Sequence, residues 1–231
     1  MKRLPAALLT ACALLLSPAW LLPADAAPAL FSCPGTPCAE DERYLRGYGQ
    51  YWQRVMESEA ANPSFTAGGG RLAPADAAQW RNLVAYARQS EFPDILRMVN
   101  GYFNQWSPKT DQAAWGVEEY WASPAEFIAK RGGDCEDYAI AKYFALRYLN
   151  IPAERLRIVI IRQRDEKGIP DPNLHAVLAA LSSQGAWFIL DNNARPRDGI
   201  TPHTQYKNRF VPLFSVNETG AWAHCADPLS P

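Results

Sequence analysis

The sequence predicts an α+β domain, because helical patterns fill its earlier part and strand patterns follow. Between residues 39 and 149, apolar side chains recur every three to four positions, the spacing of an amphipathic helix. After Pro152 the pattern changes to short runs rich in Ile and Val that turn residues separate, which is typical of antiparallel strands. This order indicates helices packed on one side of an antiparallel sheet.

The helices are predicted from their periodicity and their start signals. They cover residues 39–61, 74–89, a stretch from Pro93 onward, 123–130 and 135–149, and residues 107–121 read as irregular. Proline at a first-turn position and the capping box from Ser123 to Glu126 mark helix starts. The last helix is apolar on nearly every side, which predicts that it is buried.

The strands are predicted at residues 156–163, 174–181, 187–191 and 209–216. The sequence Ser182-Ser183-Gln184-Gly185 joins the second strand to the third as a hairpin turn. Because neighbouring strands of a hairpin lie side by side, His175 and Asp191 are expected next to each other near one edge of the sheet.

Residues 1–26 have the pattern of a secretory signal. Lys2 and Arg3 precede an apolar run that extends to Leu22, and residues 24–26 fit a small-x-small cleavage site. We therefore expect a periplasmic chain that begins at Ala27, with a loose arm over residues 27–38 and one domain over residues 39–231. An uncleaved anchor is the alternative, and Leu9-Thr10-Ala11-Cys12 leaves open a lipidated cysteine.

Composition excludes several kinds of partner and site. The formal net charge is −1 and no basic stripe exists to neutralise a phosphate backbone, which argues against nucleic acid. Three histidines, none at ligand spacing with two cysteines, argue against zinc. In the periplasm Cys33 and Cys38 are expected to form a small disulfide loop, or one of them pairs with Cys225, and Cys135 is expected to stay free.

The candidate site is the sequence Gly132-Gly133-Asp134-Cys135-Glu136-Asp137, where a glycine pair precedes the buried helix. A thiol at a helix N-terminus, followed along the chain by His175 and Asp191, is the layout of a papain- or transglutaminase-type hydrolase. Cys135 would be the nucleophile, His175 the base and acid, and Asp191 the residue that holds the imidazole.

The carboxylates around the cysteine oppose this chemistry, because negative charge raises the pKa of a thiol. Asp134 and Glu136 flank Cys135 directly, and Asp137 follows. They either complement the helix dipole or bind a cation, and hard oxygen ligands suit Ca²⁺.

The chain resembles the bacterial transglutaminase-like cysteine proteinases of the LapG type. The resemblance rests on motifs in order between about residues 92 and 224: Val99-Asn100-Gly101-Tyr102-Phe103-Asn104, Trp115-Gly116, Glu119-Tyr120-Trp121-Ala122-Ser123-Pro124, Gly133-Asp134-Cys135-Glu136-Asp137-Tyr138-Ala139-Ile140-Ala141-Lys142-Tyr143, His175-Ala176-Val177-Leu178, Leu190-Asp191-Asn192, Phe214-Ser215-Val216-Asn217 and Trp222. Ala176 and Glu119 depart from the residues that the family often has, which leaves the triad intact.

The resemblance implies a papain/transglutaminase-like fold and a triad of Cys135, His175 and Asp191. It implies Ca²⁺ dependence, with Asp134 and Glu136 at the metal. It further implies cleavage of a large surface adhesin near its N-terminus at a di-alanine site, which controls biofilm detachment. An inner-membrane receptor that senses cyclic di-GMP would sequester the protease at an apolar pocket, which residues 115–121 would partly line.

Two other classes of function are consistent with the same residues. One is a different thiol hydrolase, such as a peptidoglycan-peptide amidase or a transglutaminase, because substrate choice lies in the loops of a fold. The other is a non-catalytic binding module, against which the intact Cys, His and Asp speak. Asn100 and Asn104 stand one helical turn apart and are candidates to aid the oxyanion or the metal.

Overall fold

The computed structural model describes residues 30, 39–40, 48–165, 167–206 and 209–223. The predicted signal over residues 1–26, all but one residue of the predicted arm, and Cys33, Cys38 and Cys225 lie outside the described residues. Within the part of the chain that the structure describes, no helix has both the length and the apolar character needed to cross a membrane.

Five of the described helices lie where the periodicity predicts them, with one large difference at the first, and the short helices at residues 111–114 and 203–206 were not predicted. They are α1 (Gly49–Ala61), α2 (Pro74–Ala87), α3 (Phe92–Asn104), α4 (Asp111–Ala114), α5 (Pro124–Lys130), α6 (Cys135–Tyr148) and α7 (His203–Tyr206). The first helix was expected from residue 39, but Ala39 and Glu40 form a strand. Ser123 and Glu126 form the predicted capping box of α5.

The strands form one antiparallel sheet, which confirms the α+β class. They are β1 (Ala39–Glu40), β2 (Leu156–Arg164), β3 (Pro170–Leu181), β4 (Trp187–Leu190), β5 (Thr201–Pro202), β6 (Phe210–Asn217) and β7 (Gly220–Ala223). Among the described residues the strand order is β1-β7-β6-β2-β3-β4-β5. The four predicted strands are β2, β3, β4 and β6, and the short strands β1, β5 and β7 extend the sheet at its two edges.

Helix α6 packs on the centre of the sheet, as its apolar character predicts. Ile140 and Tyr143 of α6 are fully buried in the same core as Ala176 and Leu178 of β3. Alternate residues of the sheet, such as Val177, belong to a second apolar cluster. A close-packed core of this kind resists deformation, so it fixes the N-terminus of α6 relative to β3.

Candidate active site

Cys135 is the first residue of α6, and its thiol is half-buried there. The turn before the helix is tight, because a Cβ on Gly133 would lie 2.0 Å from Oδ2 of Asp137. The backbone N–H of Ala176 donates a hydrogen bond to the thiol, and Oε2 of Glu136 lies 3.3 Å from Sγ. The start of α6 and strand β3 therefore hold the thiol between them.

The surroundings of the thiol oppose its ionisation. Burial raises the pKa of Cys135 above its ordinary value, and the Glu136 carboxylate raises this pKa further. The N–H of Ala176 acts in the other direction, because a hydrogen bond to the thiolate favours the charged form. Cys135 is free of any disulfide, as the sequence predicts.

His175 and Asp191 form a buried pair at the open end of the β3–β4 hairpin. Nε2 of His175 lies 2.9 Å from Oδ1 of Asp191, and the same oxygen accepts the backbone N–H of Asn193 at 2.8 Å. The hairpin thus brings together the two residues that the strand pattern predicts as neighbours. Ala176, whose amide bonds to the thiol, directly follows His175, so the thiol adjoins the strand that carries the imidazole.

Five carboxylates gather beside the thiol, three more than the two that the sequence singles out as metal ligands. One group consists of Asp111, Glu119 and Glu136, and a second of Asp111, Asp134 and Asp137, with the carboxylate oxygens in each group within 4.8 Å of one another. Asp111 belongs to both groups. Asp134 and Glu136 therefore lie in a cluster that a cation can join, although their role as ligands stays a prediction.

The cluster contains oxygens that no hydrogen bond satisfies. Within the described part of the chain, Oδ1 of Asp111, Oδ1 of Asp134 and Oδ2 of Asp137 are buried without a hydrogen-bond partner. Burial raises the pKa of Asp111 to about 6, and burial with the nearby carboxylates raises the pKa of Glu136 well above its usual value. Buried polar atoms are normally satisfied, so these oxygens fit an oxygen-binding cation such as Ca²⁺.

Residues 107–121, which the sequence leaves irregular, bring two of these carboxylates to the site. Thr110 caps the short helix α4 that begins at Asp111, and Oδ2 of Asp111 accepts the backbone N–H of Tyr120 at 2.5 Å. The rings of Trp115 and Tyr120 pack with centroids 4.5 Å apart, and the Arg54 guanidinium covers the Tyr120 ring. These contacts order the loop and hold its carboxylates against α6.

A surface cavity of about 490 Å³ borders the acidic cluster and is lined by Tyr48, Tyr51, Glu118 and Glu119. Glu119 belongs to both the cavity and the cluster. Within residues 115–121, Trp121 is buried in the core and Val117 is an exposed apolar side chain. The apolar pocket expected along this loop stays a prediction.

The polar residues of α3 and α6 behave differently from the sequence expectation. Asn100 and Asn104 donate hydrogen bonds to backbone carbonyls of the loop after β4, and among the described residues neither shares a hydrogen bond with Cys135 or with the carboxylate cluster. Lys142, which the sequence does not single out, is fully buried in α6, and its Nζ has no hydrogen-bond partner among the described residues. A lysine in a helix is usually exposed, so the helical pattern does not predict that Lys142 is buried.

We expect Lys142 to make the stability of the fold depend on pH. Burial lowers the pKa of Lys142 from 10.5 to about 7, opposed by the nearby Asp191 carboxylate. Above pH 7 the unfolded chain binds the proton more strongly, so the free energy of unfolding rises with pH until about 10.5, by about 1.4 kcal/mol per pH unit from this group. We expect Lys142→Met to be more stable than the wild type at pH 7, and the difference to shrink as pH rises.

Urea unfolding at pH 7, 8 and 9 measures this difference between the two proteins. The matched control is Lys167→Met, because Lys167 is exposed in the turn between β2 and β3. For Lys167→Met, we expect the difference from the wild type in the free energy of unfolding to stay constant over this pH range. A constant difference for Lys142→Met as well would contradict the lowered pKa of Lys142.

The fold and the thiol site together define the structural class of the protein. This class is the transglutaminase-like fold, in which helices pack on an antiparallel sheet and a cysteine begins the buried helix. A family model described as bacterial transglutaminase-like cysteine proteinase matches residues 75–229. The chain therefore belongs to this family of cysteine proteases. No curated protein sequence matches the chain.

Solved structures of LapG from Legionella pneumophila are similar to the chain at 27% sequence identity. The calcium-bound structure has a TM-score of 0.55, with 78% of this chain and 92% of that chain covered. The EGTA-treated structure also has a TM-score of 0.55, with 77% and 87% covered. A further LapG structure has a TM-score of 0.53, with 74% and 86% covered. These matches confirm the papain/transglutaminase-like fold that the sequence predicts.

Proposed function

We propose that the chain is a periplasmic, calcium-dependent cysteine endopeptidase that cleaves a large surface adhesin near its N-terminus at a di-alanine site. This cleavage would release cells from a biofilm, and an inner-membrane receptor that senses cyclic di-GMP would sequester the enzyme. The observation that carries the proposal is the Cys135 thiol on the N–H of Ala176, beside the buried His175–Asp191 pair. Membership of a cysteine protease family supports the reaction class.

In the proposed mechanism the Cys135 thiolate attacks the scissile carbonyl and forms a thioester. Because Nε2 of His175 is bound to Asp191, Nδ1 is the ring nitrogen that takes the thiol proton and passes it to the leaving amine. Asp191 holds the ring in this tautomer. The first N–H groups of α6, which have no partner within the helix, would stabilise the negative oxygen of the intermediate, and water would then hydrolyse the thioester.

The carboxylate cluster fits a bound Ca²⁺. Asp134 and Glu136, with Asp111, Glu119 and Asp137, would hold the ion, and three of these residues carry buried oxygens that lack a partner in the described part of the chain. When bound, the ion supplies positive charge that offsets the carboxylates next to the thiol. One solved LapG structure is calcium-bound and another is EGTA-treated, which supports this assignment.

The substrate chain would run along the cavity that borders the cluster. Its walls are the rings of Tyr48 and Tyr51 and the side chains of Glu118 and Glu119. The pKa of Tyr48 is raised by burial and by Glu119 and Glu136, so this ring adjoins the acidic cluster next to Cys135. An extended peptide in the cavity would therefore lie beside the acidic cluster, whose Glu136 lies 3.3 Å from Sγ of Cys135.

A cleavage assay tests the proposal. The mature protein is incubated with an adhesin N-terminal fragment that contains a di-alanine site, in calcium and in EGTA. We expect one cut at the di-alanine site in calcium and none in EGTA. Equal cutting in EGTA would contradict the calcium requirement. No cutting with a rapidly alkylated Cys135 would favour a different thiol hydrolase, and no cutting with an inert Cys135 would favour a binding module.

A further inference from the structure

Two buried amides of α3 hold the loop that follows Asp191. Nδ2 of Asn104 donates to the backbone carbonyl oxygens of Asp191 at 2.9 Å and of Arg197 at 2.7 Å. Nδ2 of Asn100 donates to the carbonyl oxygen of Gly199 at 2.8 Å. An amide NH₂ group has two protons, so the two side chains can satisfy carbonyls at both ends of residues 191–199.

The loop also lies directly on the helix. Gly101 stands between the two asparagines, and a Cβ at this position would lie 3.1 Å from the Cβ of Asp198. Asn100 and Asn104 are both buried, and the Oδ1 atom of each lacks a hydrogen-bond partner among the described residues. Burying an unsatisfied amide oxygen costs free energy. The two asparagines therefore hold the loop at a cost to the stability of the fold.

Hydrogen bonds hold both the carbonyl oxygen and the carboxylate of Asp191. Its carbonyl oxygen is held by Asn104, and its Oδ1 accepts the N–H of Asn193 and faces Nε2 of His175. Without the amides, the backbone of Asp191 would lose its anchor on α3, and the carboxylate would lose its alignment with the imidazole.

We propose that Asn100 and Asn104 are positioning residues that keep the Asp191 carboxylate aligned with His175. The inference rests on the proposed function, because it assigns these residues a part in the reaction of the same site. They act through Asp191 and do not contact the substrate. This assignment replaces the expectation that they aid the oxyanion or the metal.

The first test is kinetic and uses the adhesin fragment. Because a small misalignment of a catalytic group is costly, Asn104→Ala should lower kcat by about 10- to 100-fold with KM nearly unchanged. In the Asp191→Ala background, the same substitution should cost less than about twofold, because its effect passes through Asp191. Independent effects of the two substitutions would overturn the proposal.

Asn217 provides a matched control for loss of a buried amide. Its Nδ2 donates to the carbonyl oxygens of Ala153 at 2.8 Å and Leu156 at 3.0 Å, away from the site residues. Asn217→Ala should destabilise the fold in the same way as Asn104→Ala and leave kcat unchanged. If both variants lower kcat equally, the role of Asn104 is only structural.

The second test does not depend on cleavage. Two-dimensional NMR of the imidazole nitrogens reports the tautomer of His175 in the wild type and in each variant. We expect the His175 signals of Asn104→Ala to move towards those of Asp191→Ala, and those of Asn217→Ala to stay in place. Unmoved signals in Asn104→Ala would refute the positioning role, even in a protein that cleaves no fragment. If Asn104→Ala does not fold, Asn100→Ala is measured in its place, because its main bond is to Gly199 at the far end of the loop.

Discussion

Substitution of Cys135 by alanine should abolish peptide-bond cleavage and leave the fold intact. Removing the nucleophile of a catalytic triad costs kcat about 10⁴-fold or more, because the covalent route is lost. The structural cost is small, because the thiol is half-buried and its loss leaves only a minor cavity at the edge of the core. The measurement is the cleavage rate of the adhesin fragment, beside the melting temperature of the same preparation.

The result separates catalysis from packing. Cys135 is small and stands at the start of a buried helix, which is also a common position for an inert core cysteine. An inert cysteine would react slowly with iodoacetamide near neutral pH, and its replacement by alanine would leave any activity unchanged. We expect the opposite: rapid alkylation of Cys135 in calcium, and loss of both labelling and activity in Cys135→Ala. Retained cleavage in the variant would contradict the assignment of the nucleophile.

The features predicted correctly from the sequence are those that local patterns determine. The apolar surface of α6 requires that the helix be buried. The hairpin from β3 to β4 places His175 beside Asp191 through local strand pairing alone. The capping box of α5 is likewise a signal within four residues. The pair and the thiol helix could therefore be found from the sequence alone.

Contacts between distant segments could not be found in this way. Asp111 and Glu119 reach the site on a segment without regular periodicity, and their partner Glu136 stands on another element. Strand β1 pairs with β7 near the other end of the described chain, so a helix was predicted where the partner strand imposes a strand. Lys142 was missed because its burial depends on packing against the sheet, which a helical pattern does not report.

Asp111→Asn should remove most of the stabilisation by calcium, so that the wild type is the more stable protein in calcium and the variant is the more stable protein in EGTA. Asp111 belongs to both carboxylate groups, so its loss removes a ligand charge from each. In the wild type, calcium at about 100 times its Kd would stabilise the fold by about 2.7 kcal/mol, and we expect the variant to lose most of this gain. In EGTA the variant should be the more stable protein, because burial and Asp134 raise the pKa of Asp111 and mark its charge as unfavourable without a cation.

Thermal unfolding at pH 7.5 in calcium and in EGTA distinguishes this reversed order of stability from simple damage to the fold. The asparagine keeps an oxygen that can accept the N–H of Tyr120, so the loop retains its hydrogen bond. Asp94→Asn is the matched control, because Asp94 is an exposed carboxylate in the first turn of α3 and should leave the calcium shift unchanged. A variant that keeps the full calcium shift would contradict the role of Asp111 as a ligand. A variant that is less stable than the wild type in EGTA would contradict the unfavourable charge of Asp111 in the absence of a cation. The reversed order is expected only if the carboxylates repel one another until an ion joins them.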